Sequence, residues 1–343
     1  MRNKEIIQRK TKILATLGPA SSTIKSIIEL SKSGANAFRL NCSHLNEAEL
    51  KEYVRKIRRA EEIVKKPIGI LVDLQGPKIR IGSVDEDDNL LKKNDIFLLD
   101  LNKEIGNKKR VSLPHKKIFE SIKKGHLILL DDGKIHLKTI SVKKDIISTR
   151  VLQGGYIKSN KGVNLPETNI KTSALSRIDK KFANLAVKQG VDWIALSFVQ
   201  KPNDIKDLRK ICSNKVSIMA KIEKPSALDH IDSITDLADG IMIARGDLGV
   251  ELPIESVPGW QKKIIRVARV KGKPVVVSTQ MLESMTSSLT PTRAEVSDVA
   301  NAVFEGADAI MLSAESASGD YPVETVKMMN KIALNIEKDS NYN

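Results

Sequence analysis

The sequence has few aromatic residues, only two cysteines and no long apolar run, and each shortage excludes a class of protein. Aromatic residues make up 3% of the 343 residues, which argues against a nucleic-acid surface built on base stacking. Cys42 and Cys212 permit at most one disulfide, and no Cys/His cluster suggests zinc. No stretch approaches the ~18 apolar residues of a membrane span, and the N-terminal segment lacks the apolar core of a signal peptide. We therefore expect a cytoplasmic globular protein with free, buried thiols and no membrane partner.

Basic residues are abundant, with 57 Lys and Arg against 42 Asp and Glu and a net charge of +15. The lysines are spread along the chain in pairs, such as Lys65-Lys66 and Lys123-Lys124, rather than gathered in one patch. We interpret them as solvated helix faces with a general attraction for anionic, phosphorylated small molecules. No nucleic-acid partner is expected.

Short β-branched runs alternate with amphipathic helical stretches, a pattern typical of a parallel sheet with crossover helices. The pattern predicts eight strands, at residues 12–17, 37–41, 68–74, 191–198, 216–223, 240–245, 274–279 and 309–315. A helix is predicted after each strand except the third. The fold prediction is an α/β protein, a (β/α)8 TIM barrel over residues 1–75 and 162–343, with its site at the C-terminal ends of the strands.

The segment after the third strand has a different residue pattern, with alternating strands and no long helical period. Alternating strands such as DIFLLDL and HLILLDDGKIHLKTI, with turns at Asp132-Gly133 and Gly154-Gly155, predict an all-β insertion. We place an inserted β-barrel lid domain at residues 76–161. This segment holds 19 Lys and Arg against 11 Asp and Glu, so it would be a basic lid suited to an anionic substrate.

Polar side chains follow most of the predicted strands, often two residues apart. They are Arg39, Asn41 and Ser43 after strand two, Asp73 after strand three, Lys221 and Glu223 after strand five, Arg245 and Asp247 after strand six, Thr279 after strand seven, and Ser313 and Glu315 after strand eight. Residues two apart in a strand share a face, so these groups point into the barrel mouth. A single pair could be a satisfied salt bridge, but burying several unpaired charges would cost several kcal/mol per ion. Together they predict a site.

The residue types indicate the chemistry of this site. Glu223 and Asp247 are hard oxygen ligands suited to Mg²⁺ or Mn²⁺. Lys221 shares a face with Glu223 and could stabilise a transferring phosphoryl group or a developing enolate. The glycine-rich run that begins at Arg245 leaves backbone N–H groups available for a carboxylate or phosphate, although such a turn alone is a weak signal.

A series of motifs, in order along nearly the whole chain, resembles the pyruvate kinase family. They are LGPAS (17–21), FRLNCSH (38–44), SNKGVNLP (159–166), MAKIE (219–223), IARGDLGVE (243–251), STQMLESM (278–285), PTRAEVSDVANAV (291–303) and GDYP (319–322). The resemblance implies Mg²⁺-dependent phosphoryl transfer from phosphoenolpyruvate to ADP, giving ATP and pyruvate, as in the last step of glycolysis.

The resemblance also implies a role for each matching residue. Glu223 and Asp247 would hold the Mg²⁺, Lys221 would stabilise the developing charge, and Arg39 would face the transferring phosphate. Arg245, Gly246 and Asp247 would bind the substrate carboxylate through their backbone, and Thr279, with Ser313 nearby, would protonate the enolate through water. The nucleotide, ADP or ATP, would bind near Pro19, Asn41, Cys42, Ser43, His44, Arg80 and Lys161.

Three departures from the family pattern alter these expectations. Cys42 replaces the usual Phe, and Ser316 replaces the usual Thr after Glu315; we expect both to be harmless. The family's C-terminal regulatory domain is expected to be absent, which predicts no effector site of that kind. That expectation puts the family tetramer in doubt. A homodimer remains possible, through the barrel face that contains the helix predicted after strand seven.

The run ILVDLQGPKIRIG bears on a monovalent cation. In the family, the positions of Asn41, Ser43, Asp73 and Leu74 line a K⁺ site, and K⁺-dependent members tend to have Glu where this chain has Lys78. The Lys78 ammonium could supply the +1 charge of the ion. We therefore predict that K⁺ is not required, the alternative being a salt bridge from Lys78 to a lid carboxylate.

Two other functions remain open from the sequence. Another Mg²⁺-enolate barrel, such as a lyase, would share Lys221, Glu223 and Asp247 but would have no use for the lid. A catalytically impaired, truncated paralogue would be expected to have lost rim residues, yet Lys221, Glu223, Asp247, Arg39 and Thr279 are all present.

Overall fold

A computed structural model describes residues 9–168 and 173–339 of the chain. The ends of the predicted barrel domain, residues 1–8 and 340–343, and its segment 169–172 lie outside the described residues. The first three strands are β1 (Lys12–Thr16), β2 (Ala37–Asn41) and β3 (Gly69–Asp73). The next strands are β4 (Leu90–Leu91), β5 (Ile96–Asp100), β6 (Arg110–Ser112), β7 (Leu127–Leu130), β8 (Ile135–Lys143), β9 (Ile146–Gln153), β10 (Gly155–Tyr156) and β11 (Val163–Asn164). All lie in the predicted insertion except β11, which follows its predicted end at residue 161 but pairs with β7 and is counted with the insertion here. The last strands are β12 (Trp193–Leu196), β13 (Ser217–Ile222), β14 (Gly240–Ala244), β15 (Val275–Ser278) and β16 (Ala309–Leu312).

Parallel strands close into an eight-stranded barrel in the order β1-β16-β15-β14-β13-β12-β3-β2. The insertion separates β3 from β12 in sequence, yet the two pair directly, with Asp73 opposite Ala195. The insertion therefore leaves the barrel uninterrupted and confirms the predicted fold class: a TIM barrel with a β domain inserted after the third strand.

Helices connect the barrel strands and cover them. Within the described ranges the helices are α1 (Ile24–Ser33), α2 (Glu47–Val64), α3 (Lys116–Ser121), α4 (Arg177–Lys188), α5 (Pro202–Cys212), α6 (Pro225–Leu228), α7 (Ile231–Leu237), α8 (Arg245–Glu251), α9 (Val257–Val270), α10 (Arg293–Phe304), α11 (Ala314–Ala317) and α12 (Pro322–Glu337). The longer helices outside the insertion pack their apolar faces on the outside of the barrel in one continuous core. No helix in the described ranges has the length and apolar character needed to span a bilayer.

The insertion, which we call the lid, has its own hydrophobic core around Phe97, Leu99 and Ile128. Its strands form a six-stranded sheet in the order β11-β7-β8-β9-β5-β6 and a two-stranded sheet of β10 and β4. It also contains α3, a six-residue helix that the sequence did not predict. A separate core lets the lid keep its internal structure independently of the barrel strands.

The inside of the barrel is filled by one apolar side chain from most strands. These residues are Leu14, Leu71, Ala195, Met219, Met242, Val276 and Met311, with Ala37 packed against them. Strand side chains alternate between faces, so the residue two positions further along each strand points into the barrel mouth. This layer of apolar residues is therefore the floor on which the polar layer rests.

Candidate active site

The polar layer above the barrel floor contains four of the predicted site residues, Arg39, Asp73, Lys221 and Ser313. Two residues beyond the floor residues lie Thr16, Arg39, Asp73, Ser197, Lys221, Ser278 and Ser313. Glu223 continues the face of Lys221 by two more positions. The two-residue alternation of side chains along a strand, which predicted the inward-pointing polar pairs, is thus the physical reason why these side chains meet at the barrel mouth.

Asp73 is the centre of this layer, with only 1% of its side chain exposed. Its Oδ2 accepts from Arg39 Nε at 2.7 Å, and its Oδ1 lies 3.2 Å from Lys221 Nζ. Burial alone would raise the pKa of Asp73, but the two cations outweigh burial and hold that pKa below its ordinary value. Asp73 is therefore an ionised anchor for both cations.

Lys221 keeps its charge although it is almost wholly buried. Its Nζ donates to Ser197 Oγ at 2.7 Å and lies 2.8 Å from Glu223 Oε1. Burial would lower the pKa of Lys221, but the carboxylates of Asp73 and Glu223 outweigh it and raise that pKa above its usual range. The site thus holds a fixed ammonium at the mouth of the barrel.

The predicted metal carboxylates lie close enough to repel each other. Burial, reinforced by the negative charge of Asp247, raises the pKa of Glu223 despite the nearby Lys221. Glu223 Oε2 accepts from the backbone N–H of Phe198 at 2.7 Å. Among the described residues, the side chain of Asp247 makes no hydrogen bond or ion pair. It lines a cleft of about 270 Å³ between barrel and lid.

The side chain of Arg245 makes contacts with the turn after β15 and with α10 that its sequence position did not predict. Its side chain donates to Thr279 O at 2.7 Å and pairs with Asp298 on α10 at 2.7 Å. Thr279 and Gln280 have φ values of +70° and +54°, which a β-branched residue such as Thr strongly resists. The Arg245 side chain therefore stabilises this strained turn, whereas the family resemblance involves only its backbone.

The hydroxyl of Thr279 is fixed on two sides. Its Oγ1 donates to Ser278 O at 2.6 Å and accepts from Gly246 N at 2.7 Å. Ser313 ends the neighbouring strand, and its backbone N–H donates to the buried carboxylate of Glu315 at 2.7 Å. The structure therefore joins Thr279 directly to the first turn of α8, which follows β14.

The predicted nucleotide residues lie in two groups. The exposed Pro19 opens a 3-10 turn after β1, and Asn41 ends β2, followed by the buried Cys42, Ser43 and the exposed His44. Arg80 and Lys161 belong to the base of the lid. Arg80 Nη1 donates to Asn160 O at 2.9 Å, and Lys161 pairs with Asp131 at 2.9 Å.

The predicted monovalent-cation site is not built around Lys78 in this conformation. Asn41 Oδ1 accepts from Ser43 N at 3.1 Å, and Leu74 O accepts from Ser197 Oγ at 2.7 Å. None of the hydrogen bonds or ion pairs found among the described residues joins Lys78 to Asp73. Lys78 instead lines the cleft between lid and barrel, so its role as a substitute cation remains a prediction.

Two residues of the site, Ser197 and Phe198, were missed from the sequence. Ser197 lies two positions after the floor residue Ala195, so the rule that found Lys221 would have found it. Phe198 has a φ of +56°, and no sequence pattern signals a left-handed aromatic residue.

Comparison with known proteins places these motifs in context. The family described as pyruvate kinase, barrel domain, matches residues 8–326. The chain is similar to a pyruvate kinase from Methylorubrum extorquens, with 52% identity over 334 residues, covering 97% of this chain and 70% of the relative. It is 42% identical to a pyruvate kinase from Thermotoga maritima, covering 96% of this chain and 72% of the relative. A pyruvate kinase from Geobacillus stearothermophilus is 40% identical, covering 97% of this chain and 58% of the relative.

Proposed function

The chain belongs to the pyruvate kinase family, and we propose that it transfers the phosphoryl group of phosphoenolpyruvate to ADP. The bond between phosphorus and the enol oxygen breaks, and a bond from phosphorus to a terminal oxygen of ADP forms. The enolate left behind takes up a proton at carbon and becomes pyruvate. The buried, charged Lys221 among anionic partners at the barrel mouth is the observation that carries this proposal.

We assign the charge-stabilising roles to Lys221 and Arg39. Both cations are fixed by Asp73, at 3.2 Å and 2.7 Å, so their positions need not reorganise during the reaction. Lys221 would stabilise negative charge that develops on the enolate oxygen, and Arg39 would face the transferring phosphoryl group.

The donor set fits a divalent ion. Two hard carboxylates, Glu223 and Asp247, repel each other, and a Mg²⁺ or Mn²⁺ between them would relieve that repulsion. The described residues contain no group of three or more His, Cys, Asp and Glu suited to a metal. Such an ion would therefore depend on substrate or water oxygens for its remaining ligands. When bound, it would neutralise charge on the enolate and phosphoryl oxygens.

We place the substrate carboxylate at the backbone of Arg245, Gly246 and Asp247. The Gly246 N–H donates to Thr279 Oγ1 at 2.7 Å, so a carboxylate that accepts from it would replace this bond and lie beside Thr279. Threonine is a poor acid at neutral pH, so we assign Thr279, with Ser313, to ordering the water that delivers the proton.

We place ADP between the segment after β2 and the base of the lid. The predicted contacts are Pro19, Asn41, Cys42, Ser43 and His44 on the barrel, with Arg80 and Lys161 on the lid. Closure of the lid over this cleft would exclude water that would otherwise hydrolyse the phosphoryl donor.

Three narrower features belong to the proposal. Lys78 is proposed to make K⁺ unnecessary. A homodimer through the barrel face containing α10 is one candidate assembly, and a cytoplasmic location is a further prediction. Each can fail without affecting the assignment of the reaction.

The reaction is tested by incubating purified protein with phosphoenolpyruvate, ADP and Mg²⁺ and measuring pyruvate with lactate dehydrogenase and NADH. We expect pyruvate formation to require both ADP and the metal. Pyruvate formed equally well without ADP would favour a lyase or hydrolase, and no pyruvate under any condition would refute the proposal.

A further inference from the structure

Phe198 lies between the buried charges and the start of the lid. It follows β12 and has a φ of +56°, in the left-handed region that aromatic residues rarely adopt. In this conformation its backbone N–H donates to Glu223 Oε2 at 2.7 Å. The preceding residue, Ser197, accepts from Lys221 Nζ at 2.7 Å. Two adjacent residues thus contact both members of the Lys221–Glu223 pair.

The contact from Phe198 fixes the orientation of the Glu223 carboxylate. Glu223 Oε1 faces Lys221 at 2.8 Å, while Oε2 receives the Phe198 N–H, so both oxygens are held by separate donors. Each oxygen retains a second lone pair for a further partner. A residue with extended backbone at position 198 would turn its N–H away from Oε2, and one side of the carboxylate would be released.

The ring of Phe198 explains why the unusual backbone persists. A Cβ placed on Gly76, at the start of the lid, would lie 2.5 Å from Phe198 Cδ2, so the ring packs directly on the Gly76 backbone. Lys224 Nζ also lies over the ring, 5.8 Å from its centroid. Lys224 pairs with Glu251, which accepts from Asn164 Nδ2 of the lid at 2.8 Å. These contacts hold the ring in place and so favour the backbone conformation.

We propose that Phe198 is a positioning residue that aims the Glu223 carboxylate at the divalent ion. The left-handed backbone directs the N–H to Glu223, and packing of the ring against Gly76 is one contribution to that conformation. This inference rests on the proposed function, because it deepens the assignment of Glu223 as a metal ligand.

The test compares Phe198→Leu with Phe198→Ile. The two side chains have the same atoms, but branching at Cβ makes Ile resist a positive φ far more than Leu does. Binding of Mn²⁺ to the protein without substrate is measured from the electron paramagnetic resonance signal of free Mn²⁺. We expect Leu to bind within about threefold of the unsubstituted protein. Ile should bind about tenfold more weakly than Leu, the size expected for losing a hydrogen bond to a charged acceptor. Equal affinities of the Leu and Ile variants would overturn the inference.

A third variant keeps the test decisive if Phe198→Ile does not fold. Phe198→Gly retains the N–H and accepts a positive φ without strain, so it should bind Mn²⁺ within about fivefold of the unsubstituted protein. A loss as large as that of Glu223→Gln would refute the backbone role. Thermal midpoints measured alongside identify a merely structural effect, which lowers stability without changing the Mn²⁺ affinity of the folded protein.

Glu223→Gln separates failure of the inference from failure of the proposed function. If Glu223→Gln leaves Mn²⁺ affinity unchanged, the metal assignment is wrong and the inference falls with it. If Glu223→Gln weakens binding while the Leu and Ile variants bind alike, only the role of Phe198 is refuted.

Discussion

Replacing Asp73 by Asn tests how much the buried charge cluster contributes to stability and, separately, to the rate of the reaction. The substitution keeps the shape of the side chain but removes the charge that Arg39 and Lys221 share. Breaking a buried ion pair from one side costs about 3 to 5 kcal/mol, and the remaining amide oxygen can still accept from one cation. We therefore expect the free energy of unfolding to fall by about 3 kcal/mol. For a chain of 343 residues, this corresponds to a thermal midpoint lower by about 4 °C.

The pH dependence of this loss has a defined sign. The pKa of Asp73 is lowered in the folded protein, so its stabilising effect is present above the unfolded pKa of about 3.9 and is lost as pH falls through the lower, folded value. The difference in stability between Asp73→Asn and the unsubstituted protein should therefore be complete above about pH 5 and should shrink below about pH 4. Urea unfolding monitored by circular dichroism over this pH range measures it.

The same substitution should also slow the reaction. Without Asp73 the charge on Lys221 has one fewer carboxylate to favour it, and displacement of a catalytic group by about 1 Å can cost 10²-fold in rate. Asp207→Asn is the matched control, since it breaks the exposed 2.8 Å pair with Lys210 and should change stability by about 0.5 kcal/mol or less. If Asp73→Asn were as stable and as active as Asp207→Asn, the central role given to the buried carboxylate would be wrong.

Three further predictions follow from other parts of the molecule. Activity should be the same in K⁺ and in a bulky organic cation, and Lys78→Glu should introduce K⁺ dependence; strict K⁺ dependence of the unsubstituted protein would contradict the role of Lys78. Arg245→Lys should lower kcat about tenfold in steady-state assays, because Lys cannot span Thr279 O and Asp298 together. Arg209→Lys, which alters the pair with Asp239, is the control and should leave kcat unchanged. If the two variants lowered kcat equally, the claim that Arg245 stabilises the turn at Thr279 would be wrong. Burial raises the pKa of Cys212 to about 11 and that of Cys42 above its ordinary value. Neither thiol should therefore react with a disulfide reagent at pH 8 until the protein is denatured, and rapid labelling of the native protein would contradict this.

The barrel strands and the inward-pointing charges could both be predicted from the two-residue alternation of side chains along a β-strand. Side chains two apart share a strand face, so Asp73 above Leu71 and Lys221 above Met219 follow from counting along apolar strands. Parallel strands place these ends at one rim. The same counting applied to β12 would have included Ser197.

Features beyond the strand ends could not be predicted in this way. The fourth strand was predicted to continue to residue 198, yet β12 ends at Leu196, and the left-handed Phe198 depends on packing against Gly76. Similarly, the Arg245 contact with Thr279 joins the start of α8 to the turn after β15, two segments that no local pattern relates. The link from Asn164 to Glu251 depends on how the lid docks on the barrel.

Lys221→Met most directly tests the claim that the buried ammonium stabilises the transferring charge. The substitution keeps an unbranched side chain but removes the ammonium with its charge and its N–H donors. The assay is pyruvate formation from phosphoenolpyruvate, ADP and Mg²⁺, with circular dichroism to confirm folding. The account predicts a fall in kcat/KM for phosphoenolpyruvate of about 10³-fold or more in a folded protein. A folded Lys221→Met variant with kcat/KM within about threefold of the unsubstituted protein would contradict it.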